Sequence, residues 1–130
     1  MSAKRVLIID DEAQLQELLT IAFTSRDYKV FTASNGEEGL KLASSKKPDI
    51  IVLDIKMPRL NGYEFLSRIR KDEHLRETPI IVFTSLTEDS NRSDEEWANS
   101  LEVADFVSKP VEPLGLVERV ERVLSSKNAG

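Results

Sequence analysis

Four short runs of strand-forming residues recur through this chain, Arg5 to Ile9, Tyr28 to Ala33, Ile50 to Leu53 and Pro79 to Phe83, with a weaker fifth at Asp105 to Ser108. Between them lie stretches whose apolar residues repeat at helical spacing. Leu15, Leu18, Leu19, Ala22 and Phe23 share one face, as do Leu40 and Ala43, then Phe65, Leu66 and Ile69, and finally Leu116, Val120, Val123 and Leu124. With a further helix near Trp97, the order strand then helix repeats five times. Such alternation needs right-handed crossovers and a parallel sheet covered by helices on both faces. Its central strands must be apolar on both sides, as Val6-Leu7-Ile8-Ile9 and Ile50-Ile51-Val52-Leu53 are. The expected fold is α/β, a doubly wound five-stranded parallel sheet flanked by five helices.

Turn chemistry agrees with this reading. Asn35-Gly36 can turn into the second helix, Lys46-Lys47-Pro48-Asp49 can end it, and Asn61-Gly62 opens the third. The polar stretch Thr87 to Asp94 reads as a mobile loop, with a helix starting near Ser93. A length of 130 residues allows one domain and one core, with a frayed tail from about residue 127. The absence of cysteine excludes disulfides, thiolate metal sites and cysteine nucleophiles. The apolar runs are too short to span a membrane and the polar start is no secretory signal, so a cytoplasmic protein without a membrane partner is expected. A formal charge of -5 speaks against direct nucleic-acid binding, which wants a basic face.

In an open parallel sheet, ligands bind beyond the carboxyl ends of the strands. Asp10 and Asp11 follow the first strand, Asp54 the third, Thr84 and Ser85 the fourth and Lys109 the fifth. Singly, each has an ordinary explanation as a helix cap or turn residue. Jointly, three carboxylates at one sheet edge repel one another and raise one another's pKa unless a cation sits among them. Mg²⁺ suits such a site, because it takes oxygen ligands and keeps several waters. Asp54 could then accept a phosphoryl group in line, with the cation and Lys109 stabilising the equatorial oxygens and Thr84 bonding to the aspartyl phosphate.

Four motifs in order carry a resemblance over about residues 4 to 126: Leu7-Ile8-Ile9-Asp10-Asp11-Glu12, Pro48 to Pro58 with Asn61-Gly62, Pro79 to Ser85, and Ala104-Asp105-Phe106-Val107-Ser108-Lys109-Pro110. They resemble the bacterial response-regulator receiver domain, the CheY-like fold of two-component phosphorelay signalling. The resemblance implies a flavodoxin-like strand order 2-1-3-4-5 and a cis Lys109-Pro110 bond. It implies Asp54 as phosphoacceptor, Asp11 as direct metal ligand and Asp10 as a ligand largely through water. Lys56 would lend its backbone carbonyl to the ion, Thr84 and Lys109 would bind the phosphoryl group, and Phe106 would be the aromatic switch. Lys56 and Leu86 would tune attack by water. Two departures stand out: a longer interval between Thr84 and Lys109, and Val103-Ala104 in place of a glycine-alanine turn.

The implied function is a switch. A sensor histidine kinase or phosphotransfer protein supplies the phosphoryl group, and the face of the fourth helix, fifth strand and fifth helix binds a downstream protein. The alternative is the receiver portion of a longer regulator with a DNA-binding or enzymatic effector beyond Gly130. A dehalogenase-type phosphatase needs a second acid two residues past the nucleophile, where Lys56 stands. A dinucleotide-binding domain needs glycines where Asp10-Asp11-Glu12 stands. A phosphorylation-independent module with a relic pocket is disfavoured by the complete set of polar residues. Trp97 reads as core or interface, and His74 as solvated.

Overall fold

The structure, a computed structural model, describes residues 3–55, 62–85, 99 and 101–129. Its elements run β1 (Arg5–Ile9), α1 (Ala13–Thr24), β2 (Lys29–Ala33), α2 (Gly36–Lys46), β3 (Ile50–Leu53), α3 (Gly62–Lys71), β4 (Ile80–Thr84), β5 (Asp105–Ser108) and α4 (Pro113–Ala129). The five strands form one parallel sheet in the order β2-β1-β3-β4-β5. The doubly wound sheet is thus as expected. The described residues hold four complete helices rather than five. The helix expected near Trp97 falls mostly outside them, although Asn99 and Leu101 are helical.

The apolar strands divide their side chains between two cores, because successive residues of a strand point to opposite faces. Val6, Ile8, Ile50, Val52, Ile81, Phe83 and Val107 pack beneath Leu19 and Phe23 of α1 and Leu116, Val117 and Val120 of α4. Leu7, Ile9, Ile51, Leu53, Ile80, Val82 and Phe106 pack on the other side with Ala43 of α2 and Phe65 and Ile69 of α3. Leu18 departs from the expected helix face: it is exposed with Ile21, while Leu19, Ala22 and Phe23 are buried. It lies at the outer edge of the apolar stripe, beyond the arc that the sheet covers.

Helix boundaries follow local chemistry. The Asn35 side chain accepts a hydrogen bond from the Glu38 N–H at 2.9 Å and caps α2, whose first turn carries Glu37 and Glu38 near the positive end of the helix dipole. Lys47 ends α2 in the left-handed region with φ 46°. The strand assignments shift only at edges, since Tyr28 and Pro79 precede β2 and β4 and Thr84 belongs to β4.

Candidate functional site

The strand register sets the site. The Asp10 N–H donates to the Ala33 carbonyl at 3.0 Å, the Asp54 N–H to Ile9 at 2.9 Å and the Lys109 N–H to Thr84 at 3.0 Å. These bonds continue the ladder one residue past the strands and fix Asp10, Asp54, Thr84 and Lys109 along one carboxyl edge. The Gln16 amide strengthens that edge from α1, donating to the carbonyls of Asp10 at 2.5 Å and Ala33 at 3.0 Å. The Lys109-Pro110 bond is cis, as the resemblance implied.

Asp54 is the centre of the arrangement and is buried, as are Asp10 and Thr84. The Thr84 hydroxyl donates to Asp54 Oδ1 at 2.6 Å, while Lys109 Nζ approaches Oδ2 of the same carboxylate at 3.3 Å. Lys109 Nζ also reaches Asp10 Oδ2 at 2.8 Å and Glu12 Oε1 at 3.0 Å, and it lies 5.3 Å from the centre of the Phe83 ring. Asp10 Oδ1 accepts the Glu12 N–H at 2.8 Å. The N-cap position of α1 is occupied by Glu12, whose side chain makes no capping bond. Asp10 therefore serves both, holding the N-cap residue with Oδ1 and facing the site with Oδ2.

Burial raises the Asp10 carboxyl above the ordinary carboxylate range, although the Lys109 hydrogen bond and the Glu12 N–H pull it back. For Lys109, burial disfavours the ammonium, but hydrogen bonds to Asp10 and Glu12 and the charges of Asp10 and Asp54 outweigh it and raise the pKa. Burial thus decides the direction for Asp10, and the surrounding carboxylates decide it for Lys109.

Asp10, Glu12 and Asp54 each offer a carboxylate oxygen within 4.8 Å of the others. Three hard oxygen donors, one at the exposed rim, fit Mg²⁺. With the Lys109 ammonium against three carboxylates, the cluster keeps two net negative charges, which a divalent cation would balance. Asp11, expected as a direct ligand, is exposed beside Asp10 and outside this group. Glu12 was missed in the sequence, although a third acid directly after Asp10-Asp11 was the available signal. The backbone carbonyl assigned to Lys56 lies outside the described residues, as does Leu86. Phe106 is buried in β5 and belongs to the core that Leu101 and Val103 pack against, a core aromatic. His74 is exposed, as expected.

The family model for the response regulator receiver domain matches residues 6–121. The chain is a receiver domain. It is 39% identical to the probable transcriptional regulator ycf27 of Guillardia theta, over 96% of this chain and 47% of that protein. It is 31% identical to protein PilH of Pseudomonas aeruginosa, over 93% of this chain and 98% of that one. The receiver domain thus spans about half the length of the transcriptional regulators it matches, and nearly all of PilH. Among solved structures, the chemotaxis response regulator CheY4 of Vibrio cholerae superimposes with TM-score 0.82 at 27% identity, covering 94% of this chain and 99% of that one. Membership places the chain in two-component signal transduction, among signalling domains and not conventional enzymes. Among the described residues, no helix is long and apolar enough to cross a membrane.

Proposed function

We propose that this receiver domain accepts a phosphoryl group on Asp54 from a histidine kinase or phosphotransfer protein and thereby changes the surface it offers to a downstream protein. The observation that supports this best is that Thr84 and Lys109 engage opposite oxygens of one buried carboxylate. One Asp54 oxygen attacks the phosphorus in line as the bond to the donor breaks, and the donor atom leaves with its electron pair. Lys109 then stabilises negative charge on the phosphoryl oxygens, and the Thr84 hydroxyl turns from the carboxylate to one of them. Asp10 and Asp54, with Asp11 and the Lys56 carbonyl that the resemblance implies, would hold Mg²⁺, which would supply the remaining positive charge. Thr84 and Phe106 lie on neighbouring strands, so Thr84 movement alters the space next to the ring, and the face of β5 and α4 registers it.

The match to the probable transcriptional regulator ycf27, covered to 47% of its length, favours a second arrangement, in which this domain is the receiver portion of a DNA-binding regulator, while PilH, covered to 98%, favours a receiver that acts without such an effector. Either way the phosphorylation chemistry is the same. Incubation with acetyl phosphate and Mg²⁺ is expected to add the mass of one phosphoryl group to the intact protein, and Asp54→Asn to add none. Undiminished labelling of Asp54→Asn in intact-mass spectra would overturn the assignment.

A further inference from the structure

Lys109 is not centred on Asp54. Its ammonium lies 2.8 Å from Asp10 and 3.0 Å from Glu12, but 3.3 Å from Asp54. The three carboxylates differ in what it costs to leave them. Asp10 and Asp54 side chains are 3% and 6% exposed, so withdrawing the lysine from either would take an ion pair from a charge that little water can reach. The Glu12 side chain is 61% exposed, and water replaces its partner readily. Glu12 sits at the N-cap position of α1 with its backbone N–H held by Asp10, so its side chain reaches the lysine from a fixed base.

We propose that Glu12 is a positioning residue: it draws Lys109 toward the rim, away from Asp54, and releases it when a phosphoryl group occupies Asp54. This rests on Asp54 being the phosphoacceptor and adds to that reading a competitor that limits how firmly Lys109 holds the product. No covalent step involves Glu12. It exchanges one ion pair for water, while Lys109 exchanges Glu12 for a phosphoryl oxygen. The carboxylate must reach the ammonium, so length matters as well as charge. Glu12→Ala removes the competitor, and Glu12→Asp keeps the charge on an arm shorter by one methylene.

The test is beryllofluoride binding by titration calorimetry at saturating Mg²⁺, joined to the lysine ammonium signals in ¹H–¹⁵N spectra of the ion-free protein. An exposed pair of this kind predicts roughly two- to fivefold tighter beryllofluoride binding in Glu12→Ala and in Glu12→Asp, with the Lys109 signal displaced in both. Wild-type affinity in Glu12→Ala would overturn the proposal. Weaker affinity would also overturn it, by making Glu12 an ion ligand foremost. Wild-type behaviour of Glu12→Asp would reduce Glu12 to general charge and reject positioning. Should wild-type protein bind no beryllofluoride, the phosphoacceptor reading fails by itself. The ion-free spectra then decide the Glu12 claim, and an unmoved Lys109 signal in Glu12→Ala rejects it.

Discussion

At the scale of single residues, the site is a problem of charge placed where water is scarce. Burial holds the Asp10 carboxyl high, so the folded chain binds that proton more readily than the unfolded chain does. This contribution is fully present below the unfolded value and lost as pH rises through the folded one, which makes ionised Asp10 a liability that Lys109 or a cation offsets. Lys109 carries a raised pKa, as hydrogen bonds to Asp10 and Glu12 outweigh its burial, and Tyr28 carries one through burial and the nearby Glu121 charge. In both, the folded state keeps a proton that the unfolded state loses above about pH 10. The part of the stability that these two groups supply should therefore be full below about pH 10 and fall beyond it. Urea midpoints measured from pH 8 to 11 check this, and Tyr28→Phe should make the decline shallower. The residue-level reading of the sequence found Asp10, Asp54, Thr84 and Lys109, because each directly follows or ends a strand. It missed Glu12 and Gln16, whose contacts come from the geometry of α1 against the sheet edge.

Elements matter through how closely they approach the site. A Cβ on Gly62 would overlap the Ile55 backbone and come within 3.2 Å of the Asp54 carbonyl. A Cβ on Gly39 would meet Ile9 Cδ1 at 2.6 Å, the far end of a flexible side chain. The start of α3 is therefore pressed against the segment that carries Asp54, where backbone must yield. Overpacking there predicts that Gly62→Ala costs about 1–3 kcal/mol and lowers phosphoryl uptake at Asp54, with Gly39→Ala milder on both counts. Urea denaturation alongside intact-mass labelling measures the two effects. Asn61-Gly62 was legible as a helix start, but that the glycine also makes room for Asp54 and Ile55 just past β3 was not. At the far side of the sheet, Arg119 of α4 grips Asp105 of β5 with two bonds at 2.6 and 2.7 Å. A fork of this kind ties helix and edge strand together.

For the molecule as a whole, a ligand that binds only the folded state raises the melting temperature by mass action. Mg²⁺ with beryllofluoride at about a hundredfold above its Kd should add about 2.7 kcal/mol, or roughly 5–10 °C for a domain of this size. Asp54→Ala should lose that increment, which differential scanning calorimetry would show. Much of this molecule was written along the chain: alternating apolar runs and helical stripes dictate a parallel sheet with two cores, since period-two strands can bury both faces only beneath helices. The polar residues that break those runs mark the carboxyl edge for the same reason. What only the tertiary structure decided is which of them meet. Separations such as the 99 residues between Lys109 and Asp10 leave no local signal, and the sharing of one ammonium among Asp10, Glu12 and Asp54 follows from strand register and the seat of α1. Periodicity records which way a side chain faces, whereas contact depends on where the backbone has carried it.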